Sequence, residues 1–206
     1  MAASADAALQ RPPAEPGMRI GLFGGSFNPA HDGHRLVALQ CLKRLALDKV
    51  WLLVTPGNPL KDHAELAPLA TRLAATRALM AHPDLVVTGF EAAHGFTYTY
   101  ETLAYVTAAE PGVKFVWIMG GDSLAGFDKW ERWQDIARLL PIAVYARPGA
   151  GQRALRSRAA KTLAAWRLPE DAAETLAVRP PPAWVYLHGV TSPLSSTAIR
   201  AARAAG

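Results

Sequence analysis

The sequence predicts an α/β protein in which helices cover both faces of a mainly parallel sheet. Short apolar runs alternate along the chain with longer segments whose apolar residues recur at helical spacing. The short runs are apolar at nearly every position, which is typical of parallel strands buried on both faces. Connections between such strands are expected to be right-handed.

The apolar runs predict strands over Met18–Phe23, Val50–Val54, Leu85–Thr88, Lys114–Met119, Ile142–Ala146 and Trp184–Leu187. The periodic segments predict helices over His34–Leu47, Leu69–His82, Thr99–Ala109, Trp130–Leu139 and Ser195–Ala205, and over Arg153–Ala177 with a break at Pro169. The expected fold is therefore doubly wound and Rossmann-like. In such folds ligands bind beyond the carboxyl ends of the strands, where the strand order changes direction.

Length and composition favour one domain. The chain has 206 residues, half of them apolar, which is enough for a sizeable core over residues 18–206. Residues 1–17 are poor in large apolar side chains and are expected to form a flexible tail. The single cysteine, Cys41, excludes an internal disulfide and a cysteine-rich zinc site, and it suits a cytoplasmic protein. No apolar run reaches the length of about 18 residues that a membrane span needs.

The charge balance suits an anionic partner. The net charge is +5, and six basic residues lie between Arg147 and Arg167. These basic residues are interpreted as a solvated helix face, because no aromatic residues alternate with them to stack on bases. Nucleic acid is therefore not the expected partner.

The segment GLFGGSFNPAHDGH, from Gly21 to His34, combines a glycine pair with two histidines. It is neither a Walker A loop nor a dinucleotide-binding fingerprint. Gly24 and Gly25 are expected to allow a tight turn after the first strand and a close approach to a ligand. His31 and His34 stand at the start of the next predicted helix, where free N–H groups and the helix dipole attract phosphate.

Two other interpretations of these histidines are weighed. Each could be a surface or capping residue. They could also hold zinc, although no third ligand stands nearby in the sequence and no H-E-x-x-H motif is present.

A second anion-binding motif is LSSTAIR, from Leu194 to Arg200. Ser195, Ser196 and Thr197 can cap the last predicted helix, and Arg200 lies one turn further along. Hydroxyl groups and an arginine at a helix N-terminus can bind an anion. With the first motif, they predict a clamp for a polyphosphate.

Together these motifs resemble those of a known family. GGSFNPAHDGH resembles the (T/H)-x-G-H signature of the HIGH superfamily of nucleotidyltransferases, and LSSTAIR resembles its partner motif I-S-S-T-x-I-R. With NPLK, FTYTYETL and GGDSLAGFDKW, the similarity is greatest to bacterial nicotinate-nucleotide adenylyltransferases, and it extends over about residues 18–203. The resemblance implies transfer of an adenylyl group from ATP to nicotinate mononucleotide, with Mg²⁺ bound mainly through the ATP phosphates.

The resemblance also implies roles for individual residues. His31, His34 and Arg200 are expected to be catalytic. The ATP site is expected to use these three with Gly24, Gly25, Ser26, Phe27, Asp122, Ser195, Ser196 and Thr197. The nicotinate-nucleotide site is expected to use Asn28, Asn58, Lys61, Thr97, Tyr98, Gly120, Ser123, Trp130 and Arg147.

Some alternatives stay open at this point. The acceptor could be nicotinamide mononucleotide or pantetheine phosphate, and the protein could instead be a nucleotide-binding regulatory module or a nucleic-acid-binding module. Members of the family often have Asp where Asn28 stands, so the role of Asn28 is not assigned. A homo-oligomer is also left open.

Overall fold

A computed structural model of the protein describes residues 8–57, 66–146, 151–190, 194 and 196–204. Its strands are β1 (Arg19–Gly25), β2 (Lys49–Val54), β3 (Leu85–Thr88), β4 (Lys114–Gly120), β5 (Ile142–Tyr145), β6 (Arg167–Leu168) and β7 (Trp184–Leu187). Its α-helices are α1 (Asp32–Arg44), α2 (Leu69–Leu79), α3 (Phe90–His94), α4 (Thr99–Ala109), α5 (Gly121–Ala125), α6 (Trp133–Leu139), α7 (Gly151–Leu155), α8 (Arg158–Thr162) and α9 (Ser196–Ala204).

The strands form one parallel sheet with the order β3-β2-β1-β4-β5-β7-β6. The chain builds outward from β1 through β2 to β3, then returns to place β4 on the other side of β1. The strand order therefore changes direction between β1 and β4, where a doubly wound sheet opens a crevice at the strands' carboxyl ends. The predicted α/β fold with a parallel sheet is confirmed.

Two apolar cores cover the two faces of the sheet. On one face α1 packs through Val37, Ala38 and Cys41, together with Leu73 of α2. The other core contains side chains of α4, α6, α7 and α8. Within the described ranges, none of the helices has both the length and the apolar character that a membrane span needs.

The helix predicted over Arg153–Ala177 is wrong, but the predicted break at Pro169 is confirmed, because β6 ends at Leu168 and a 3₁₀ turn begins at Glu170. The segment divides into α7, α8, the short strand β6 and two 3₁₀ turns over Ala164–Trp166 and Glu170–Val178. The Ser157 side chain caps α8 by accepting a hydrogen bond from the Ala160 N–H at 3.2 Å. Local composition favours a longer helix before Pro169, whereas the structure buries small side chains such as Ala154 and Ala159 on two separate short helices.

The described part of the predicted flexible tail lies against the domain. Ala8 is buried, and its carbonyl accepts a hydrogen bond from the Gly89 N–H at 2.8 Å. The Thr88 hydroxyl donates to the Gln10 carbonyl at 2.9 Å, and Arg11 forms an ion pair with Glu110. Residues 8–17 thus contribute to the folded domain. The sequence does not reveal this, because the partners are mainly backbone groups distant along the chain.

Candidate active site

The candidate site begins where β1 ends, beside the change of strand order. Gly24 and Gly25 are the last residues of β1, and the turn follows them. The residue with a left-handed backbone in that turn is Phe27, with φ of 45°. The expectation that the glycine pair itself makes the tight turn is therefore corrected.

The missing side chain at Gly24 makes room for a neighbouring strand. A Cβ atom at Gly24 would lie 2.5 Å from Cη2 of Trp117 on β4. At Gly25 it would lie 3.2 Å from the Phe27 ring. Both glycines therefore make room for the protein's own aromatic rings, and both also lie on the wall of the cavity described below.

The rings of the two histidines lie against each other, tilted by 34°, at the start of α1. His31 is the N-cap residue and is buried, whereas His34 is partly exposed. Their ring centroids are 3.8 Å apart, and the His31 backbone N–H donates to Nδ1 of His34 at 3.3 Å. Because Nδ1 of His34 accepts this bond, the neutral ring carries its hydrogen on Nε2. That N–H group can donate to a phosphoryl oxygen.

The second motif meets the first through α9. Ser196 donates its hydroxyl hydrogen bond to the Pro29 carbonyl at 2.9 Å. Nη1 of Arg200 donates to the Asn28 carbonyl at 2.7 Å. The first turn of α9 therefore lies against the loop that leads into His31. Two motifs far apart in the sequence thus form one site.

Asn28 has a supporting position in this loop. Its side chain is buried, and Oδ1 accepts a hydrogen bond from the Ala67 N–H at 3.2 Å. Its carbonyl is the group that Arg200 contacts. Asn28 therefore links the loop after β1 both to α9 and to the segment before α2.

Arg72 of α2 holds the neighbouring loops together, and sequence reasoning missed it. The side chain is 2% exposed, and burial lowers the pKa of the guanidinium. It donates hydrogen bonds to four backbone carbonyls, those of Ser26, Thr55, Pro56 and Ala67, at 2.7–3.2 Å. A signal was available: Arg72 shares the apolar face of its helix with Leu69, Leu73 and Thr76.

A cavity of about 370 Å³ opens beside the end of β1. This volume is within the range of small-molecule binding sites. Of the residues predicted for the nucleotide acceptor, Thr97, Tyr98, Ser123 and Trp130 line it. Of those predicted for ATP, Gly24, Gly25 and Ser26 line it. Further lining residues that the sequence did not single out are Thr55, Gly57, Glu91, Phe96, Thr99, Trp117, Lys129 and Glu131.

The aromatic side of the cavity is held by contacts around α4. The N–H groups of Thr97 and Tyr98 both donate to Oε2 of Glu101, at 2.8 and 2.9 Å, and these bonds lower the pKa of Glu101. The Arg132 guanidinium lies 3.8 Å above the centre of the Tyr100 ring. This contact fixes the loop that carries Trp130 against α4.

The other predicted residues fall into two groups. Gly120 ends β4, Asp122 is exposed on α5 and Thr197 is exposed on α9, and none of the three lines the cavity. Asn58, Lys61, Arg147 and Ser195 lie outside the described residues. Among the residues that are described, no cluster of three or more His, Cys, Asp or Glu side chains has an arrangement that could hold a metal ion.

Comparison with known proteins identifies the family. A family model described as cytidylyltransferase-like matches residues 22–202. The chain belongs to the cytidylyltransferase-like family. The match includes the second half of β1, both histidines and Arg200, so the family model spans both motifs of the site.

Curated relatives of this cytidylyltransferase-like chain are similar along nearly their whole length. A protein of Methylorubrum extorquens, named "Probable nicotinate-nucleotide adenylyltransferase", is 56% identical over 183 residues, which are 89% of this chain and 99% of the relative. A protein of Rhizobium johnstonii with the same name is 54% identical over 189 residues, covering 92% and 95% of the two chains.

Solved structures share the fold. The nicotinic acid mononucleotide adenylyltransferase of Plasmodium falciparum, complexed with NaAD, superposes with a TM-score of 0.66 at 14% identity. The aligned region covers 89% of this chain and 83% of that one. The same Plasmodium protein complexed with APC gives a TM-score of 0.64.

Proposed function

We propose that this protein transfers the adenylyl group of ATP to nicotinate mononucleotide, giving deamido-NAD and pyrophosphate in NAD biosynthesis. The observation that carries the proposal is the contact between α9 and the loop before α1. Ser196 and Arg200 reach the carbonyls of Pro29 and Asn28 at 2.9 and 2.7 Å, beside His31 and His34. Curated relatives more than 50% identical carry the name of this activity.

In the proposed reaction, a phosphate oxygen of nicotinate mononucleotide attacks the α-phosphorus of ATP. The bond between the α-phosphorus and the bridging oxygen breaks, and pyrophosphate leaves with that oxygen. Phosphoryl-type transfers of this kind depend on positioning and charge stabilisation rather than on a covalent enzyme intermediate. The site offers hydrogen-bond donors that can position the phosphates and stabilise their charge. No nucleophilic side chain is required.

The residues around α1 and α9 are assigned to the triphosphate. His34 can donate from Nε2 to the α-phosphoryl oxygen, where negative charge develops in the transition state. The β- and γ-phosphates can be bound by Ser196, Thr197 and Arg200. For the hydrogen-bond donors of Ser196 and Arg200, the phosphates would compete with the backbone carbonyls that these two side chains contact in the structure. A Mg²⁺ ion held mainly by phosphate oxygens would neutralise part of the charge and needs few protein ligands.

The cavity is assigned to the pyridine nucleotide. The exposed Tyr98 and the partly exposed Trp130 lie on its wall, and their aromatic faces can pack against a pyridine ring. A reaction that consumes ATP and a free nucleotide also suits the cytoplasmic location expected from the sequence.

The acceptor comparison tests the proposal. Purified protein is supplied with ATP and Mg²⁺ and with nicotinate mononucleotide, nicotinamide mononucleotide or pantetheine phosphate, and pyrophosphate release is measured. We expect the fastest release with nicotinate mononucleotide, together with deamido-NAD identified by mass. Equal or faster release with either of the other acceptors would overturn the assignment, and so would release with none of them.

The role of His34 has its own test. We expect His34→Ala to lower kcat by about 100-fold or more, as for removal of a donor to a charge that develops in the transition state. His82→Ala, in the connection between α2 and β3, serves as the matched histidine control. A change in KM with an unaltered kcat would assign His34 to ground-state binding instead.

A further inference from the structure

Two separate segments of the chain meet on the wall of the cavity. Residues 97–99 line it where α4 begins, and residues 129–131 line it ahead of α6. The next residues along the chain are Tyr100 and Arg132, which do not line the cavity but contact each other. Cζ of Arg132 lies 3.8 Å from the centroid of the Tyr100 ring. One side-chain contact therefore joins the two segments immediately beside their lining residues.

The backbone conformation of Arg132 is uncommon for a residue with a long side chain. Its φ of 54° and ψ of 35° are left-handed, a region that glycine adopts without cost. Arg132 stands inside a turn, which is closed by a hydrogen bond of 3.2 Å from the Trp133 N–H to the Trp130 carbonyl. Glycine would serve this turn better, so an arginine held in it indicates a role for the arginine side chain.

The side chain of Arg132 is fixed from two directions. Nε donates to Oδ2 of Asp135 at 2.8 Å, within the first turn of α6, and the guanidinium covers the face of Tyr100. Arg138 pairs with the same carboxylate group at 3.5 Å. Within the described part of the chain, however, Arg138 lies over no aromatic ring. Contact with α4 is thus specific to Arg132 of the two arginines.

Trp130 is the lining residue whose position depends most on this contact. Its ring meets those of Phe127 and Trp117 edge-on, with centroids 5.4 and 6.3 Å apart. These two neighbours lie in the preceding 3₁₀ turn and on β4, so they do not fix Trp130 relative to α4. Arg132 does so, because it follows Trp130 by two residues and contacts α4 directly.

We propose that Arg132 is a positioning residue for the nucleotide acceptor. Its contact with Tyr100 holds Trp130 and the start of α4 in the relative position that the pyridine ring of the mononucleotide requires. The inference rests on the proposed function. An exposed contact of a cation with an aromatic face changes an equilibrium constant by about two- to fivefold. Losing it would populate the binding-competent arrangement less, and the apparent affinity for the acceptor would fall by up to that factor.

Steady-state kinetics on Arg132→Gly test the proposal. Glycine removes the side chain and adopts the left-handed turn without strain, so the variant separates the contact from the turn. We expect the KM for nicotinate mononucleotide to rise about two- to fivefold at saturating ATP, with kcat and the KM for ATP unchanged. For nicotinamide mononucleotide, kcat/KM should fall by the same factor, because both acceptors present the same ring to Trp130.

Further variants assign the effect to the contact. Arg138→Met removes the other arginine beside Asp135 and should leave the acceptor KM unchanged. Tyr100→Leu removes the ring and should match Arg132→Gly, whereas Tyr100→Phe keeps an aromatic face and should raise the KM less. The double variant of Arg132→Gly with Tyr100→Leu should be no more impaired than either single variant, because both substitutions remove one shared contact.

Several results would overturn the proposal. A KM that rises for the acid alone would mean that the guanidinium attracts the carboxylate and does not position the ring. An equal rise in the KM for ATP would indicate a general loosening of the site. Additive effects of the two substitutions would show that Arg132 and Tyr100 act separately, and an unchanged acceptor KM in Arg132→Gly would show that the contact has no role in binding.

Two safeguards keep the test decisive. The melting temperature of each variant is measured first, and Arg132→Asn replaces Arg132→Gly if the glycine variant does not fold, because asparagine also tolerates the left-handed region. Failure of the proposed function is distinguishable from failure of this inference. In the first case the unaltered protein releases no pyrophosphate with either acceptor, whereas in the second it is active and Arg132→Gly matches it.

Discussion

Replacing Arg72 by methionine should destabilise the protein and loosen the site together. Methionine fills similar space without the guanidinium, so four carbonyls lose their donor. Hydrogen bonds from charged groups contribute about 1.5–3 kcal/mol each, or roughly 6 kcal/mol for four at the low end. The variant also avoids the cost of burying a charge, which is several kcal/mol and offsets part of that loss. We therefore expect the free energy of unfolding to fall by about 3 kcal/mol.

The assay is urea unfolding followed by circular dichroism, with steady-state kinetics on the same samples. The midpoint should fall in Arg72→Met with an unchanged slope, and the KM for ATP should rise because the loop after β1 is no longer fixed. Arg77→Met is the matched control, since Arg77 lies on the same helix, is exposed and makes one hydrogen bond of 3.4 Å to the Val87 carbonyl. Arg77→Met should change the free energy of unfolding by no more than about 0.5 kcal/mol. Equal midpoints for the two variants would refute the reasoning.

Three further outcomes are expected. Gly24→Ala should lower the free energy of unfolding by about 1–3 kcal/mol, because its Cβ would meet Trp117 at 2.5 Å; an unchanged melting temperature would contradict this. Burial raises the pKa of Glu170, but hydrogen bonds from His188 and Arg44 outweigh it and lower the pKa to about 2. Glu170→Gln should therefore have a lower free energy of unfolding than the unaltered protein at neutral pH. This difference should shrink as the pH falls from about 4.5 towards 2. A difference independent of pH would argue against the contacts of Glu170 with His188 and Arg44. Deleting residues 1–11 should lower the melting temperature relative to deleting 1–7, and equal values would show that the contacts of residues 8–11 contribute no stability.

Except for the two-residue β6, the strands of the described part of the chain could be predicted from the sequence because their signal is local. A short run of buried apolar residues can be recognised without knowing the partner strand: β3 and β7 have the predicted bounds, and β4 begins at the predicted Lys114. The meeting of the two motifs was also predictable, because both stand beside expected helix starts and both suit phosphate.

What could not be predicted depends on distant contacts. Nothing local shows that Trp117 occupies the space beside Gly24, or that the Thr88 hydroxyl bonds to the Gln10 carbonyl. The local sequence around Arg72 resembles that around the exposed Arg77, since both arginines follow a threonine in the same helix. Helical position distinguishes them, and only the fold shows which carbonyls Arg72 reaches.

The contact between α9 and the loop after β1 also sets an order of events during synthesis. Asn28 leaves the ribosome early, whereas Arg200 follows 172 residues later. At about 5–20 residues per second, the loop waits roughly ten to thirty seconds for its partner. A nascent chain can therefore have its first strands and both histidines and still lack half of the triphosphate site. In the proposed function, a growing chain would not begin turnover of ATP until Arg200 had been made and had reached the Asn28 carbonyl.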